Sequence, residues 1–333
     1  MARVPIKDLQ IRKTISGEVY LLAESSLAQS RKGSPYLKAV LADRSGRIAA
    51  RYWDVPTQLA RQVQAGSGVR VDGVVEEWPP GSGERQIRID RLQPVEIQDF
   101  SPFLPQSKRD REEMREELLQ VRATIKHPYL ANLLEQLFGA EEFETTFSRA
   151  PAAKRYHHAC IGGLLEHTLA VVRLSSFVAS EYPDMDRDLL LTAAILHDVG
   201  KATSYTQGPV LDLTDEGRLI NHVAQGALVV QTAIDGVEGF PQGLRNRLIH
   251  AILAHHGALE RGSPVAPQTL EALALHHADW MDGDVRGFLD FVESEPPSAD
   301  GWTGFSTMFG TRLYPGPAES PEEGDEGAEQ LTF

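Results

Sequence analysis

Seven residues could carry chemistry in this chain: His167, the adjacent pair His197 and Asp198, His222, the doublet His255 and His256, and Asp279. Their order, H…HD…H…HH…D, suits a cage for one or two transition-metal ions held between helices. All eleven histidines lie at or beyond His127, and ten fall between His157 and His277. Imidazole nitrogens and carboxylate oxygens without sulfur suit Mn, Co, Fe, Ni or Zn, with manganese the first expectation. Such a divalent site lowers the pKa of a bound water, and a second ion can stabilise a leaving oxygen, so the expected chemistry is hydrolysis of phosphate esters.

The apolar pattern around these residues points them inward. His167 shares a helical stripe with Leu164, Val171, Leu174 and Val178. His197 follows Leu190 and Ala193 at seven- and four-residue spacing, and Asp279 shares a stripe with Ala272 and Leu275. Polar groups on apolar faces are costly to bury unless something satisfies them. One such histidine is ordinarily a hydrogen-bonded core residue. Several on separate helices, with an adjacent His-Asp pair, read as ligands, and a buried Asp279 needs a cation.

The elements that must position these residues begin only after a different region. The first hundred residues read as strands at Ile15 to Leu27, Pro35 to Leu41, Arg47 to Trp53, Val69 to Glu77 and Arg85 to Leu92, by β-branched content, alternation and turn punctuation. Pro56 to Gln64 reads as a short helix between the third and fourth strands. Five strands with a helix in that place match the oligonucleotide/oligosaccharide-binding (OB) barrel. From Phe100 the texture turns helical: Pro102 and Pro105 mark a linker, Arg109 opens a long charged helix, and helical periodicity then continues to Trp280. Leu211 to Leu219 reads as a loop. The expected fold is multidomain, with an all-β OB barrel over residues 1–97, a linker with leading helices over 98–150, an all-α metal-binding domain over 151–314 and an acidic, disordered tail over 315–333.

Composition narrows the class. A length of 333 residues fits two domains, and 41% hydrophobic with 24% charged residues is ordinary for a soluble globular protein. No apolar run approaches a membrane span, MARVPIKDLQ lacks a signal-peptide core, and the single Cys160 excludes a disulfide framework or a thiolate-rich zinc site. A reducing cytoplasm is the expected location. The net charge of −14 is uneven: residues 1–97 carry +4 and the rest −18, the stretch after Pro315 holding six acidic and no basic residues. The mildly basic barrel therefore permits a nucleic-acid partner.

At the histidine string the chain resembles the HD-domain phosphohydrolase superfamily. The resemblance implies His167, His197, Asp198 and Asp279 as ligands of a first metal. It implies His222, His255 and His256 around a second, with Asp198 bridging. Lys201, in HDVGK, matches a lysine that can meet a substrate phosphate; as a helix-end cation it would satisfy terminal carbonyls instead. More closely, PAAKRYHHACIGGLLEHTLAV (Pro151 to Val171), AAILHDVGK, INHVAQG, LAHHGALERGSP and LEALALHHADWMD resemble the YhaM-type 3′–5′ exoribonucleases, which join an OB domain to an HD domain. The stretch from Thr203 to Leu219 departs from that pattern.

Further residues are candidates for substrate contact. Lys154 and Arg155 could bind a phosphate backbone, and His157 and His158 could line the substrate path or pack the following helix start. On the barrel, Tyr36, Tyr52, Trp53 and Trp78 could stack bases, while Lys38 and Arg51, with Lys32, Arg44, Arg47, Arg85 and Arg88, could track phosphates. Alternation allows only one of Tyr52 and Trp53 to face a groove. His250, His276 and His277 read as structural or solvent-facing, although His276 could also support the ligands from behind, and His127 reads as structural.

The leading expectation is a metal-dependent 3′–5′ exonuclease on single-stranded nucleic acid, RNA favoured over DNA, with Asp198 and Lys201 at the reacting centre. Two alternatives stand beside it: a phosphohydrolase of nucleotides or cyclic dinucleotides, and a non-catalytic nucleic-acid-binding protein with a structural metal. No membrane partner is expected, and a homo-oligomer is compatible with the sequence.

Overall fold

A computed structural model describes residues 4–30, 33–98, 100, 102–154, 158–206, 212–298 and 300–316. Lys32, Arg155, His157 and the acidic stretch from 317 onward lie outside the described residues.

The N-terminal strands are β1 (Thr14–Gln29), β2 (Pro35–Asp43), β3 (Gly46–Trp53), β4 (Gly68–Glu77) and β5 (Arg85–Val95), with helix α1 (Thr57–Gln62) between β3 and β4. They close into a barrel of order β1-β2-β3-β5-β4, with β3 and β5 parallel and the other pairs antiparallel. Closure depends on β1, whose first half pairs with β4 and whose second half pairs with β2. Register shifts at Ile15/Glu18 and Leu22/Glu24 let this one strand bend around the barrel. Period-2 alternation fills the interior with Tyr20, Leu22, Leu37, Leu41, Ile48, Val69, Val71, Val75 and Ile87. Along β3, Tyr52 packs against that core and Trp53 is 36% exposed, so Trp53 is the outward aromatic. This is the OB barrel expected from the strand pattern.

The rest is helical: α2 (Arg111–Ala123), α3 (Pro128–Phe138), α4 (Glu141–Arg149), α5 (Gly163–Glu181), α6 (Arg187–Leu196), α7 (Lys201–Ser204), α8 (Asp215–Leu219), α9 (His222–Asp235), α10 (Gln242–Ala254) and α11 (Leu270–Ser294). Two expectations need correction. The charged helix begins at Arg111 rather than Arg109, because the Asp110 carboxylate accepts from the Glu112 and Glu113 amides and caps it there. The segment expected to be a loop up to Leu219 contains α8, started by Thr214, whose hydroxyl accepts from the Gly217 amide. A five-residue helix is too short to show a periodic pattern.

Beyond its first two residues helix α6 is apolar except for Thr192, and all residues from Leu189 to Leu196 are buried. A helix of that kind can sit only at the centre of a bundle. It packs on α5 and α10, and its C-terminal end therefore delivers His197 and Asp198 into the interior. A small seam of Leu21 and Ala42 from the barrel with Phe103 and Leu104 from the linker joins the two regions, with Ile161 packed against it. Gln106 and Ile161 also form a parallel backbone bridge.

Contacts separate the chain up to Asp279 from the part beginning at Trp280. The latter carries a small antiparallel pair, β6 (Phe305–Ser306) and β7 (Thr311–Arg312). Among the described residues no helix is long and apolar enough to cross a membrane.

Because Ile87 is fully buried in the barrel, Ile87→Ala removes methyl groups from a closed core and should cost about 2–5 kcal/mol. Urea unfolding followed by the fluorescence of Trp53 and Trp78 checks this; a loss under about 1 kcal/mol would contradict a tightly packed barrel.

Candidate metal centre

Five helices converge on one point. Mid-helix positions supply His167 from α5 and Asp279 from α11, while helix ends supply His197 and Asp198 after α6, His222 at the start of α9, and His255 and His256 after α10. His167 Nε2 lies 3.1 Å from His197 Nε2, 3.3 Å from Asp198 Oδ2 and 3.2 Å from Asp279 Oδ1. His197 Nε2 is 3.4 Å from Asp198 Oδ2 and 3.7 Å from Asp279 Oδ1. The other Asp198 oxygen, Oδ1, faces His222 Nε2 at 3.5 Å and His255 Nε2 at 3.6 Å. The donor atoms of Asp198, His222, His255 and His256 lie within 4.8 Å of one another, as do those of His167, His197 and Asp279. Asp198 thus has one oxygen toward each group.

The rings are oriented by backbone carbonyls. Nδ1 of His197 lies 2.9 Å from Ala194 O, that of His255 2.6 Å from Ile252 O and that of His256 3.0 Å from Arg261 O. A carbonyl only accepts, so each Nδ1–H donates and each Nε2 is aimed into the centre. His276 in turn donates Nδ1–H to the His255 carbonyl at 2.8 Å. Asp198 Oδ1, His222 Nε2 and His255 Nε2 are buried with no hydrogen-bond partner among the described residues. Buried acceptors left this way carry a desolvation cost that a cation would remove. The donor set fits a divalent transition metal in type and in convergence.

Electrostatics supports the same reading. Burial alone would push the Asp198 carboxyl up, but Lys201, His197 and hydrogen bonds from the rings of His167 and His197 outweigh it and hold Asp198 well below the usual range. Asp279 is held low in the same way, burial being outweighed by bonds from His167 and His197. Burial pushes His222 well down and, with the neighbouring His255, brings His256 to about 4, so both rings are neutral and able to ligate at neutral pH. His197 behaves oppositely: burial would lower it, yet Asp198 and Asp279 raise it to about 9. A cation among these atoms competes with that proton, and its uptake releases it.

Lys201 is buried, with Nζ 2.6 Å from Asp198 Oδ2. Burial would deprotonate it, but Asp198 raises its pKa and keeps the ammonium. Lys154 is ion-paired with Asp212 at 2.8 Å, and Arg218 reaches the same carboxylate at 2.9 Å. His158 is buried, with Nδ1 3.5 Å from Glu166 Oε2 and its ring 5.6 Å from that of His167. His250 accepts from the Gln268 amide, and His127 precedes α3 as its cap residue.

On the barrel, Tyr36 and Trp53 are cross-strand partners with ring centroids 4.7 Å apart. The Arg51 guanidinium lies 5.1 Å from the Trp78 ring and 6.0 Å from those of Tyr36 and Trp53. Lys38 pairs with Arg51 across the strands and is exposed. Lys38, Arg51, Trp53 and Trp78 therefore share one outer face, with the Arg51 guanidinium over aromatic rings.

Three contributors were not singled out from sequence. Glu166 is a buried acid inside the apolar run GLLEHTLAV, and its place beside His167 was the available signal. Gln225 is buried, taking the Ser204 hydroxyl on its carbonyl oxygen and donating to Glu216 at 3.1 Å, which ties α7, α8 and α9 together. Gly200 has ordinary helical dihedrals, but a Cβ there would stand 2.1 Å from His222 O and 2.5 Å from Gly226 N. Only a bare Cα lets α9 bring His222 this close to Asp198.

The chain thus combines two recognisable classes of domain. Residues 13–95 match the OB-fold nucleic acid binding domain and residues 164–284 match the HD domain. Over 289 residues it is 32% identical to 3′-5′ exoribonuclease YhaM of Listeria monocytogenes serotype 4b, covering 84% of this chain and 88% of that protein. It is 31% identical to the protein of the same name from Listeria welshimeri, over the same shares. The chain belongs to the YhaM family. Among solved structures, the HD domain of the L. monocytogenes phosphodiesterase PgpH is similar at 19% identity and a TM-score of 0.27, over 53% of this chain and 78% of that one.

Gly200→Ala should force α9 away and weaken Mn²⁺ binding about 10–100-fold, the range seen when the support of a ligand is lost. Gly226→Ala, where a Cβ would have no neighbour closer than 3.4 Å, should bind as the parent does. Isothermal titration of both variants checks the pair, and equal affinities would refute the close-approach argument.

Proposed function

We propose that this protein is a metal-dependent 3′–5′ exonuclease that shortens single-stranded RNA, and DNA less readily, one phosphodiester at a time. The observation that carries the reading is the division of Asp198, one oxygen toward the His167 and His197 rings, which Asp279 also meets, and the other toward His222 and His255. His167, His197, Asp198 and Asp279 would hold one ion, and His222, His255 and His256 with the second Asp198 oxygen would hold another. Bound there, divalent cations such as manganese supply Lewis acidity and lower the pKa of water for attack on phosphorus. A purely structural ion has no use for seven donors.

The protein's own groups supply the rest. The Nδ1–H bonds of His197, His255 and His256 keep the ligating nitrogens aimed at the centre. The Lys201 ammonium, held charged beside Asp198, offsets charge on the non-bridging phosphate oxygens. Tyr36, Trp53 and Trp78 with Arg51 and Lys38 offer a stacking face with cations beside it, a mode of single-strand capture that is tolerant of sequence. That face favours a polymer over a mononucleotide or cyclic dinucleotide as substrate. The 3′ polarity and the RNA preference rest on the names of the YhaM relatives. The single cysteine supports a reducing, cytoplasmic compartment.

Single-stranded RNA and DNA labelled at either end, incubated with Mn²⁺ or EDTA, test this directly. The expected result is stepwise loss from the 3′ end that requires metal. Asp198→Ala should reduce the rate at least ~100-fold, beyond the usual cost of losing a supporting residue. Turnover of cyclic dinucleotides with polymers left intact would refute the proposal.

A removal behind the ligands makes a finer test. His276→Ala takes the donor from the His255 carbonyl and should weaken metal affinity about 10-fold, with activity recovered at higher Mn²⁺. A loss that added metal does not reverse would contradict a supporting role.

A further inference from the structure

The linker and the helices it leads into enclose a cleft of about 570 Å³ that the proposed chemistry does not use. Its walls come from residues 106–112, the end of α4 at Arg149, and Ile161 and Gly162 just ahead of α5. Four cations line it: Lys108, Arg109, Arg111 and Arg149.

The two acids in the lining are already engaged. Asp110 accepts from the Glu112 and Glu113 amides, and Glu112 pairs with Arg115 at 2.8 Å. Arg109 gives one nitrogen to Glu117 at 2.5 Å, but its Nη1 is buried with no hydrogen-bond partner among the described residues. Nε of Arg111 is buried in the same condition, while its Nη2 lies 3.6 Å from Glu112 Oε1 at the rim. Arg149 is exposed and makes no ion pair among the described residues. Guanidinium donors left without acceptors in a concave site are arranged for an anion with several oxygens. Among the described residues no aromatic side chain lines the cleft, so what they offer is charge and donors rather than a surface on which a base could stack.

The position of the cleft decides between anions. Ile161, one of its walls, also packs on the seam with Leu21 and Ala42 of the barrel. Gly162, another wall, is the cap residue of α5, five residues before His167, or about 7.5 Å along the helix axis. The cleft therefore lies where the barrel meets the helix that carries His167.

We propose that this cleft is a phosphodiester-backbone subsite, holding the stretch of strand that runs between the barrel and the metal centre; it rests on the single-strand reading above. Arg111 and Arg149 bind phosphates there without reading bases, and they set the length of strand needed for tight binding.

The test uses the full-length Asp198→Ala chain in EDTA, so that labelled strands survive, with and without Arg111→Gln and Arg149→Gln together. Binding of a long oligonucleotide, read by fluorescence anisotropy against salt, should weaken about 10-fold or more at low salt. The slope of log affinity against log salt should fall by about 1.4, the value for two lost single-strand phosphate contacts. In the background with Asp198 intact, hydrolysis of a dinucleotide should be unchanged. An unchanged slope and affinity would overturn the subsite while leaving the exonuclease reading standing. Loss of inorganic phosphate binding with strand binding intact would also overturn it, in favour of a small-anion site. Failure of the parent chain to bind strands at all would remove the exonuclease reading and this inference with it.

Discussion

The structure is organised around one costly act, the burial of the Asp198 carboxylate. Asp198 is 1% exposed, among rings from three other helices and a lysine from its own turn. A carboxylate in such a place loses its hydration and must be repaid by positive charge. Lys201 supplies one unit, at Oδ2. Oδ1 faces the rings of His222 and His255, with His255 Nε2 aimed as an acceptor, and has no hydrogen-bond partner among the described residues, so the second oxygen calls for a cation. That demand explains why α6 is buried on every side from Leu189 to Leu196: the bundle gives its central helix to placing one charged pair where water does not reach.

The same arrangement solves a second problem, the ends of helices. The last turn of a helix leaves carbonyls without partners, and at the end of α6 and of α10 a histidine donates its Nδ1–H to the carbonyl three residues earlier. One bond thus satisfies the helix end, fixes the tautomer and points Nε2 at the centre. His222 uses the opposite end of a helix, where Asn221 at φ 70° caps α9 through the Val223 amide. The ligands are therefore part of how these helices begin and stop, and a substitution at any of them disturbs local structure along with chemistry.

Much of this was legible in the sequence, for physical reasons. Period-2 alternation marks a half-buried strand, so all five strands could be read. An apolar stripe marks an inward face, so the burial of His167 and His197 followed from neighbours such as Leu164 and Ala193. Other features lacked a periodic or compositional trace. Helix α8 is one turn long. The choice between Tyr52 and Trp53 depended on which face of β3 the closed barrel turns inward. The pairing of Lys154 with Asp212 joins residues 58 apart, and an exposed cation looks the same in sequence whether paired or free. Gly200 has a backbone that any residue could adopt, so its necessity arises only when α9 is packed against it.

The seam between barrel and helices matters because of what it does not share with the metal centre. Leu21, Ala42, Phe103 and Leu104, with Ile161 against them, include none of the ligands. The Gln106–Ile161 bridge adds a backbone tie on the same side. A free linker would let the barrel wander by several ångströms per square root of its residue count, and a captured strand would reach the centre only by chance. Apolar packing and a backbone bridge instead fix the start of α5 against the barrel, and with it the helix that carries His167. The distance between capture and chemistry is then a property of the fold, set before any ion or strand is bound.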